Sequence, residues 1–152
     1  MRWSPFGARG MQIPWEIRVS LRQGTVYYMA ERNLTSAQPH YFIVVNANPL
    51  GEEVLLLTVA SSQIDTVKRR RAREPGSTVV EINETDYPDF TKDSVIDCNR
   101  VFTKSLADLC AQWQRKEIVP KQDIPQPIRD RLKQGILDSR LVSEADKRRI
   151  TP

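Results

Sequence analysis

The residues best suited to chemistry stand at the far ends of two neighbouring apolar segments. His40, the only histidine of the chain, comes directly before the segment 41–45, and the pair Ser61–Ser62 follows the segment 54–59. Imidazole titrates near neutrality and can transfer protons. A fixed hydroxyl such as that of Ser61 can donate a hydrogen bond to an oxygen on which negative charge develops. The two groups together could act on a phosphate ester, with His40 and Ser61 as candidate catalytic residues.

The two apolar segments predict the element that must position these groups. Residues 41–45 read YFIVV and residues 54–59 read VLLLTV, with the turn formers NANPLG at 46–51 between them. Both segments are short and nearly continuous in apolar residues, which indicates two strands with both faces buried. A helical segment is the alternative, but the β-branched content and the flanking proline and glycine favour strands. In an antiparallel hairpin the start of one strand lies beside the end of the next, so His40 and Ser61 are expected to be neighbours.

A basic block follows Ser61 closely in the sequence and could bind phosphates. One interpretation is a solvated loop; the functional alternative is contact with the backbone of a nucleic acid. The candidate RNA-binding residues in this part of the chain are Ser62, Gln63, Lys68, Arg69, Arg70, Arg71 and Arg73.

Structural roles are the alternatives for several of these candidates. His40 could be a strand-end histidine bonded to the backbone, and Ser61 and Ser62 could satisfy backbone groups where the strand ends. Tyr27 and Tyr28 alternate across a predicted strand, so one belongs to the core while the other, taken here as Tyr28, could stack on a base. Core packing is the alternative for either tyrosine.

Composition limits the classes of protein to consider. The chain has 152 residues, of which 39% are hydrophobic, and this fits one domain. No apolar run is long enough to span a membrane, and the N-terminus lacks the apolar region of a signal peptide. Cys98 and Cys110 have no CxxC spacing and the chain has one histidine, so we expect two reduced cysteines in a cytosolic protein and no metal site. Residues 1–103 carry equal numbers of basic and acidic side chains, so the net charge of +4 comes entirely from residues 104–152.

The rest of the chain divides into a β-rich part and a helical part. Residues 1–12 are expected to form a flexible tail. Apolar residues alternate with polar ones over 13–21, which predicts a half-buried strand, and further strands are predicted at 25–30, 77–82, 94–98 and 100–102. Six or seven short strands with no helix among them up to residue 103 indicate a small antiparallel barrel or sandwich, assigned to residues 13–104.

The helical part, residues 105–152, is predicted to form an extension that packs on the barrel. Apolar residues at helical spacing begin after Ser105, a candidate N-cap, and a second helix is predicted over 125–137. Ser143 opens a short third helix.

Residues 22–105 resemble the PemK/MazF-like family, the toxins of type II toxin–antitoxin systems. The opening strand matches as Gly24-Thr25-Val26-Tyr27, and the next as Pro39-His40-Tyr41-Phe42-Ile43-Val44-Val45. A third strand ending in Thr/Ser-Ser matches as Leu57-Thr58-Val59-Ala60-Ser61-Ser62, and a late segment as residues 91–97. The family has an Asp where Thr25 stands, and an Arg-Pro pair in the place of Pro39-His40.

This resemblance implies a small antiparallel SH3-like barrel, and residues 1–20 and 106–152 have no clear counterpart in the family. Together with the six to seven strands and the C-terminal helices predicted from the sequence pattern, the expected fold class is mainly β (α+β). The resemblance also implies a cytoplasmic homodimer with an antitoxin partner, and an endoribonuclease that cleaves single-stranded RNA without metal or other cofactor. In that chemistry the ribose 2′-OH attacks the adjacent phosphate and leaves a 2′,3′-cyclic phosphate. Ser61 matches the family's hydroxyl, while His40 replaces its arginine. The second hypothesis is therefore a module on the same barrel that binds RNA or protein without cleaving it.

Overall fold

The computed structural model describes residues 12–31 and 38–152. The strands in this part of the chain are β1 (Val26–Met29), β2 (His40–Val44), β3 (Val54–Ser61), β4 (Val79–Ile82), β5 (Ser94–Asp97), β6 (Phe102–Ser105) and β7 (Val119–Lys121). The helices are α1 (Trp15–Ser20), α2 (Pro49–Glu52), α3 (Ile64–Arg70), α4 (Leu106–Gln114), α5 (Gln126–Asp138) and α6 (Glu144–Ile150). All strand pairs are antiparallel, which confirms the expected α+β class with an antiparallel sheet and C-terminal helices.

Strand β3 is the branch point of the sheet. The strand order is β4-β5-β3-β2-β1-β7, and β6 pairs with β3 off this path. The first part of β3 lies between β2 and β6, whereas its last two residues, Ala60 and Ser61, pair with Ile96 and Val95 of β5. A single strand thus joins the two parts of the sheet, and it ends at one of the candidate catalytic residues.

Both faces of the central hairpin are buried, as the apolar runs predict. Leu56 belongs to a first core, and Leu55 and Leu57 belong to a second; all three are 0% exposed. The first core lies between the sheet and α5, where Ile128 and Leu132 pack. The second core lies on the opposite face of β1, β2 and β3, where α1 and α4 cover the sheet.

The strand predicted over residues 13–21 is wrong, because this segment contains α1. Ile13, Ile17 and Leu21 are four residues apart and pack towards the second core, while Trp15 and Val19 are exposed. An alternation of apolar residues with period two also contains two series with a spacing of four, and each series fits one face of a helix. The pattern alone could not distinguish these structures.

The expectation of no helix before residue 103 is also wrong at the predicted turn. Residues Pro49–Glu52 form α2 there, and the Asn48 side chain accepts a hydrogen bond from the Gly51 N–H. Two turns of helix are the alternative for residues 65–72, and the structure has α3 in this segment, ending at Arg70. The C-terminal helices follow their predictions closely: the Ser105 and Ser143 hydroxyls accept bonds from the N–H groups of Asp108 and Asp146 at 3.0 and 3.1 Å.

The predicted flexible tail of residues 1–12 lies outside the described residues except for Gln12, as do residues 32–37. Strand β7 has no counterpart among the predicted strands, because Val119-Pro120 is typical of the end of a helix. The helix before these residues, α4, ends at Gln114.

Candidate nucleic-acid interface

His40 and Ser61 lie at the same end of the sheet but pair with different strands. The ladder between β2 and β3 ends at Phe42 opposite Val59. Beyond it, His40 lies opposite Met29 of β1, and Ser61 lies opposite Val95 of β5. The two strand ends therefore separate, and within the described part of the chain no hydrogen bond joins the two side chains.

The two side chains nevertheless share a face of the sheet. Residues directly opposite one another in a ladder project to the same side. Met29, the partner of His40, is buried in the second core, and Val59, two residues before Ser61, packs against that core. An imidazole and a hydroxyl thus stand on one face at the diverging ends of β2 and β3.

The Ser61 hydroxyl takes part in the turn that leads into α3. It accepts a hydrogen bond from the Gln63 N–H at 3.1 Å. Ser62 and Gln63 are exposed in this turn. Because a serine hydroxyl can accept and donate at the same time, the O–H of Ser61 remains able to donate to a bound oxygen.

The basic residues of α3 and of the turn after it fall into two groups, those in ion pairs and those outside them. Lys68 forms an ion pair of 2.9 Å with Glu81, and Arg71 forms one of 2.8 Å with Asp97. The remaining members, Arg69, Arg70 and Arg73, are exposed, and none of them takes part in an ion pair with the described residues. The first group fixes the helix on the protein, and the second leaves three positive charges with no ion-pair partner among residues 12–31 and 38–152.

Helix α3 lies on the same face of the sheet as Ser61. Glu81, Val95 and Ser61 form one row across β4, β5 and β3, and the side chain of Glu81 bonds to Lys68 of α3. The helix therefore packs on the face of the sheet that carries Ser61.

A buried polar network keeps α3 in this position. Asp97, which holds Arg71, also accepts hydrogen bonds from the N–H and side-chain amide of Asn99 at 3.1 and 3.0 Å. Asn99 in turn accepts a bond of 2.7 Å from the Ser139 hydroxyl, which follows α5. The orientation of α3 is thus coupled to the C-terminal helices through the buried polar side chains of Asp97, Asn99 and Ser139.

The two adjacent tyrosines of β1 have different surroundings. Tyr27 is fully buried, and burial raises the pKa of its phenol to about 12. Tyr28 is half-buried and packs against Tyr41, with ring centroids 4.8 Å apart and ring planes tilted by 49°. Because successive residues of a strand project to opposite faces, Tyr28 and Tyr41 lie on the face opposite that of His40.

The sequence reasoning missed two residues of this surface, Tyr41 and Lys121. Tyr41 was assigned only to a buried strand, and Lys121 belongs to the strand that was not predicted. The register of β1 with β2, which places Tyr28 opposite Tyr41, is the signal that could have identified the first of them. Nothing in the local sequence places Lys121 beside Tyr28.

Two further properties concern metals and membranes. In the part of the chain that the structure describes, no three histidine, cysteine or carboxylate side chains form a group that could hold a metal ion. None of the described helices is both long and apolar enough to cross a bilayer.

Comparisons with known proteins give a limited result. No protein-family model matches the chain, and no curated protein matches its sequence. Among solved structures, the chain is similar to one described as "Endoribonuclease in complex with its cognate antitoxin from Mycobacterial species", with a TM-score of 0.49 and 10% identity. The similarity covers 76% of this chain and 90% of the other. At these values nothing about the activity of this chain follows from the likeness.

Proposed function

We propose that this protein binds single-stranded RNA at the end of the sheet where His40 and Ser61 lie, and cleaves it without metal as a toxin-like endoribonuclease. The observation that supports the proposal most is the set of three exposed arginines, Arg69 and Arg70 at the end of α3 and Arg73 in the turn that follows it. They lack ion-pair partners among the described residues, and α3 is anchored on the face that carries Ser61. Unneutralised cations on a fixed helix suit a polyanion, because each phosphate contact releases counterions.

The proposed reaction uses groups on one face. The His40 imidazole takes the proton from a ribose 2′-OH, and the 2′-oxygen attacks the adjacent phosphorus. The bond from phosphorus to the 5′-oxygen then breaks, and this oxygen takes a proton from a water molecule. The hydroxide that remains takes the proton back from the His40 imidazolium. The products are a 2′,3′-cyclic phosphate and a 5′-OH. A positioned base contributes typically about 10²–10⁴-fold to such a rate.

Ser61 and the arginines have separate roles in this proposal. The Ser61 hydroxyl donates to a non-bridging oxygen of the reacting phosphate, an interaction of the kind that contributes about 10²–10³-fold in oxyanion sites. Arg69, Arg70 and Arg73 bind the phosphates on either side. Arg71 acts through the position of α3, since Asp97 occupies its guanidinium.

The test is incubation of the purified protein with mixed-sequence single-stranded RNA in EDTA, followed by analysis of the fragment ends. We expect 2′,3′-cyclic phosphate and 5′-OH ends, and a loss of cleavage in His40→Ala and in Ser61→Ala. Thr103→Ala, an exposed hydroxyl on β6, is the matched control and should cleave normally. Undiminished cleavage in both site variants would show that His40 and Ser61 are not the catalytic groups.

The second candidate function is RNA binding without cleavage. It is favoured by the separate pairing of the two strand ends, which leaves His40 and Ser61 on different ladders. This function predicts that the protein shifts a labelled RNA in a binding titration while the RNA stays intact. Fragments with cyclic ends that are absent from His40→Ala would exclude it.

The proposal includes the partners and location that the sequence resemblance implies, namely a homodimer, an antitoxin protein and the cytoplasm. Light scattering after gel filtration tests the first of these, with a mass of twice 17.5 kDa as the expected result. A mass of one chain over a wide range of concentration would contradict it.

A further inference from the structure

We propose that Tyr28, Tyr41 and Lys121 form a subsite that stacks a nucleobase of single-stranded RNA. The inference rests on the proposed function and adds to it a place for a base, on the other face of the sheet from His40. Three observations support it: the row of side chains across three strands, the buried aromatic support behind that row, and the position of a lysine over the outer ring.

The row is defined by the register of the sheet. Tyr28 of β1 lies opposite Tyr41 of β2 on one side and opposite Val119 of β7 on the other. These three side chains therefore project to the same face. Val119 is 49% exposed and both tyrosines are half-buried, so this row stays in contact with solvent at the edge of the first core.

Buried rings support the row from behind. Tyr41 packs edge-to-face on Phe90 with centroids 5.0 Å apart, and Phe90 packs on Tyr87 with centroids 4.6 Å apart. Phe90 and Tyr87 are each 1% exposed. The exposed fraction of the side chain is thus lowest for Tyr87 and Phe90 and higher for Tyr41 and Tyr28. The two partly exposed rings pack on two buried ones.

Hydrogen bonds connect this support to β7. The Tyr87 hydroxyl donates to the Gln122 carbonyl, and the Gln122 N–H donates to the Asp89 carboxylate at 2.9 Å. Since Gln122 directly follows Lys121, the strand that carries the lysine is held against the loop that carries the buried rings. A subsite with this rigidity loses little entropy when a base binds.

Lys121 gives the row its charge. Its ammonium lies 6.0 Å from the centre of the Tyr28 ring, and it takes part in no ion pair with the described residues. A flat apolar ring beside a free cation suits a nucleotide, whose base stacks while its phosphate meets the ammonium. An apolar peptide would use the rings but leave the charge without a partner.

The subsite lies near the proposed cleavage site, at the start of β2. His40 and Tyr41 are adjacent in sequence, so their Cα atoms are about 3.8 Å apart, while their side chains project to opposite faces. An RNA strand that uses both sites would pass around the start of β2 and place different nucleotides at the tyrosines and at the imidazole.

The test compares two fluorescein-labelled 2′-O-methyl oligonucleotides of 12 residues, one of mixed sequence and one with its central bases replaced by abasic positions. The blocked 2′-oxygen prevents cleavage, so fluorescence anisotropy measures binding alone. Tyr28→Leu keeps an apolar side chain but removes the aromatic ring. We expect it to weaken binding of the mixed-sequence probe about tenfold, while binding of the abasic probe changes less than twofold. Trp15→Ala, which removes a 71% exposed aromatic residue from α1, is the control and should change neither affinity.

Each outcome decides one of the two proposals. Wild-type protein that binds neither probe contradicts the proposed function and the subsite with it. Wild-type protein that binds both probes, together with a Tyr28→Leu variant that loses affinity equally for both or for neither, overturns the subsite and leaves RNA binding intact. A loss confined to the mixed-sequence probe supports the subsite.

Discussion

Arg71 donates a hydrogen bond from Nε to Asp97 Oδ2 at 2.8 Å, and this pair fastens α3 to β5. The two side chains are only 18% and 9% exposed, so the pair is largely shielded from water. Arg71 therefore turns inwards, and Lys68 is paired with Glu81 at the surface. Arg69, Arg70 and Arg73 are the exposed members of the basic block that form no ion pair with the described residues.

Replacement of Asp97 by asparagine should therefore destabilise the protein. The substitution keeps the shape of the side chain but leaves the Arg71 guanidinium without its counter-charge. We expect the free energy of unfolding to fall by about 2–4 kcal/mol. Urea denaturation followed by circular dichroism measures the change.

The matched control is Glu81→Gln, which breaks the exposed pair between Lys68 and Glu81. Both of its side chains are 51% exposed, so the loss should be about 0.5 kcal/mol or less. Equal losses in the two variants would mean that the Arg71–Asp97 pair has no special role in fixing α3.

The three free arginines should each contribute to the salt dependence of RNA binding. In Arg69→Gln, Arg70→Gln and Arg73→Gln, the slope of log affinity against log salt should become shallower by about 0.7 per lost phosphate contact. Anisotropy titrations of a single-stranded probe at several salt concentrations give this slope.

Arg148→Gln provides the control for these three variants. Arg148 is an exposed arginine on α6, and α6 contacts the turn between β2 and β3, where the Ala47 N–H bonds to the Arg149 carbonyl. This turn is at the far end of β2 from His40. A slope that changes as much in Arg148→Gln as in the α3 variants would indicate attraction by net charge alone, without a site on α3.

Gly135 should not tolerate even a methyl group. A Cβ atom at this position would lie 2.7 Å from the backbone oxygen of Ser77 and 2.9 Å from Cys98 Sγ. The helix propensity of alanine offsets part of the strain, but we still expect Gly135→Ala to lower the free energy of unfolding by about 1–2 kcal/mol. Gly76→Ala is the control, because nothing lies within 4 Å of its Cβ position. A Gly135→Ala variant as stable as the wild type would show that α5 can move away from Cys98.

Local sequence patterns were sufficient to predict helices and strands whose conformation depends only on neighbouring residues in the sequence. Continuous apolar runs predicted the two strands of the hairpin. Ser105 and Ser143 marked helix starts, because a serine that accepts a bond from the third following N–H acts within one turn. The alternation over 13–21 failed because its residues fit a helix and a strand equally well. The two alternatives differ only in what covers Ile17 and Leu21, which is a matter of tertiary structure.

The candidate site depends on contacts between distant residues, and these set the limit of the prediction. That His40 and Ser61 end the two strands followed from the sequence. That β3 leaves β2 after Val59 and continues along β5 did not, because this change of partner depends on a strand more than 30 residues further along the chain. The division of the basic block likewise required Asp97, since nothing in the local sequence distinguishes Arg71 from its neighbours.

The buried thiol of Cys98 should make stability depend on alkaline pH. Burial raises its pKa to about 12, whereas the pKa of an exposed cysteine is about 8.5. Between these values the folded state keeps a proton that the unfolded state loses, so stability is full below about pH 8.5 and decreases as the pH rises. We expect the free energy of unfolding, measured by urea denaturation, to fall by roughly 1 kcal/mol per pH unit between pH 9 and 10, and to fall less in Cys98→Ala.

The same burial predicts that Cys98 reacts with Ellman's reagent only after unfolding. A thiol that reacts rapidly in the native protein, or an unchanged pH dependence in Cys98→Ala, would show that the packing of α5 over Cys98 opens readily.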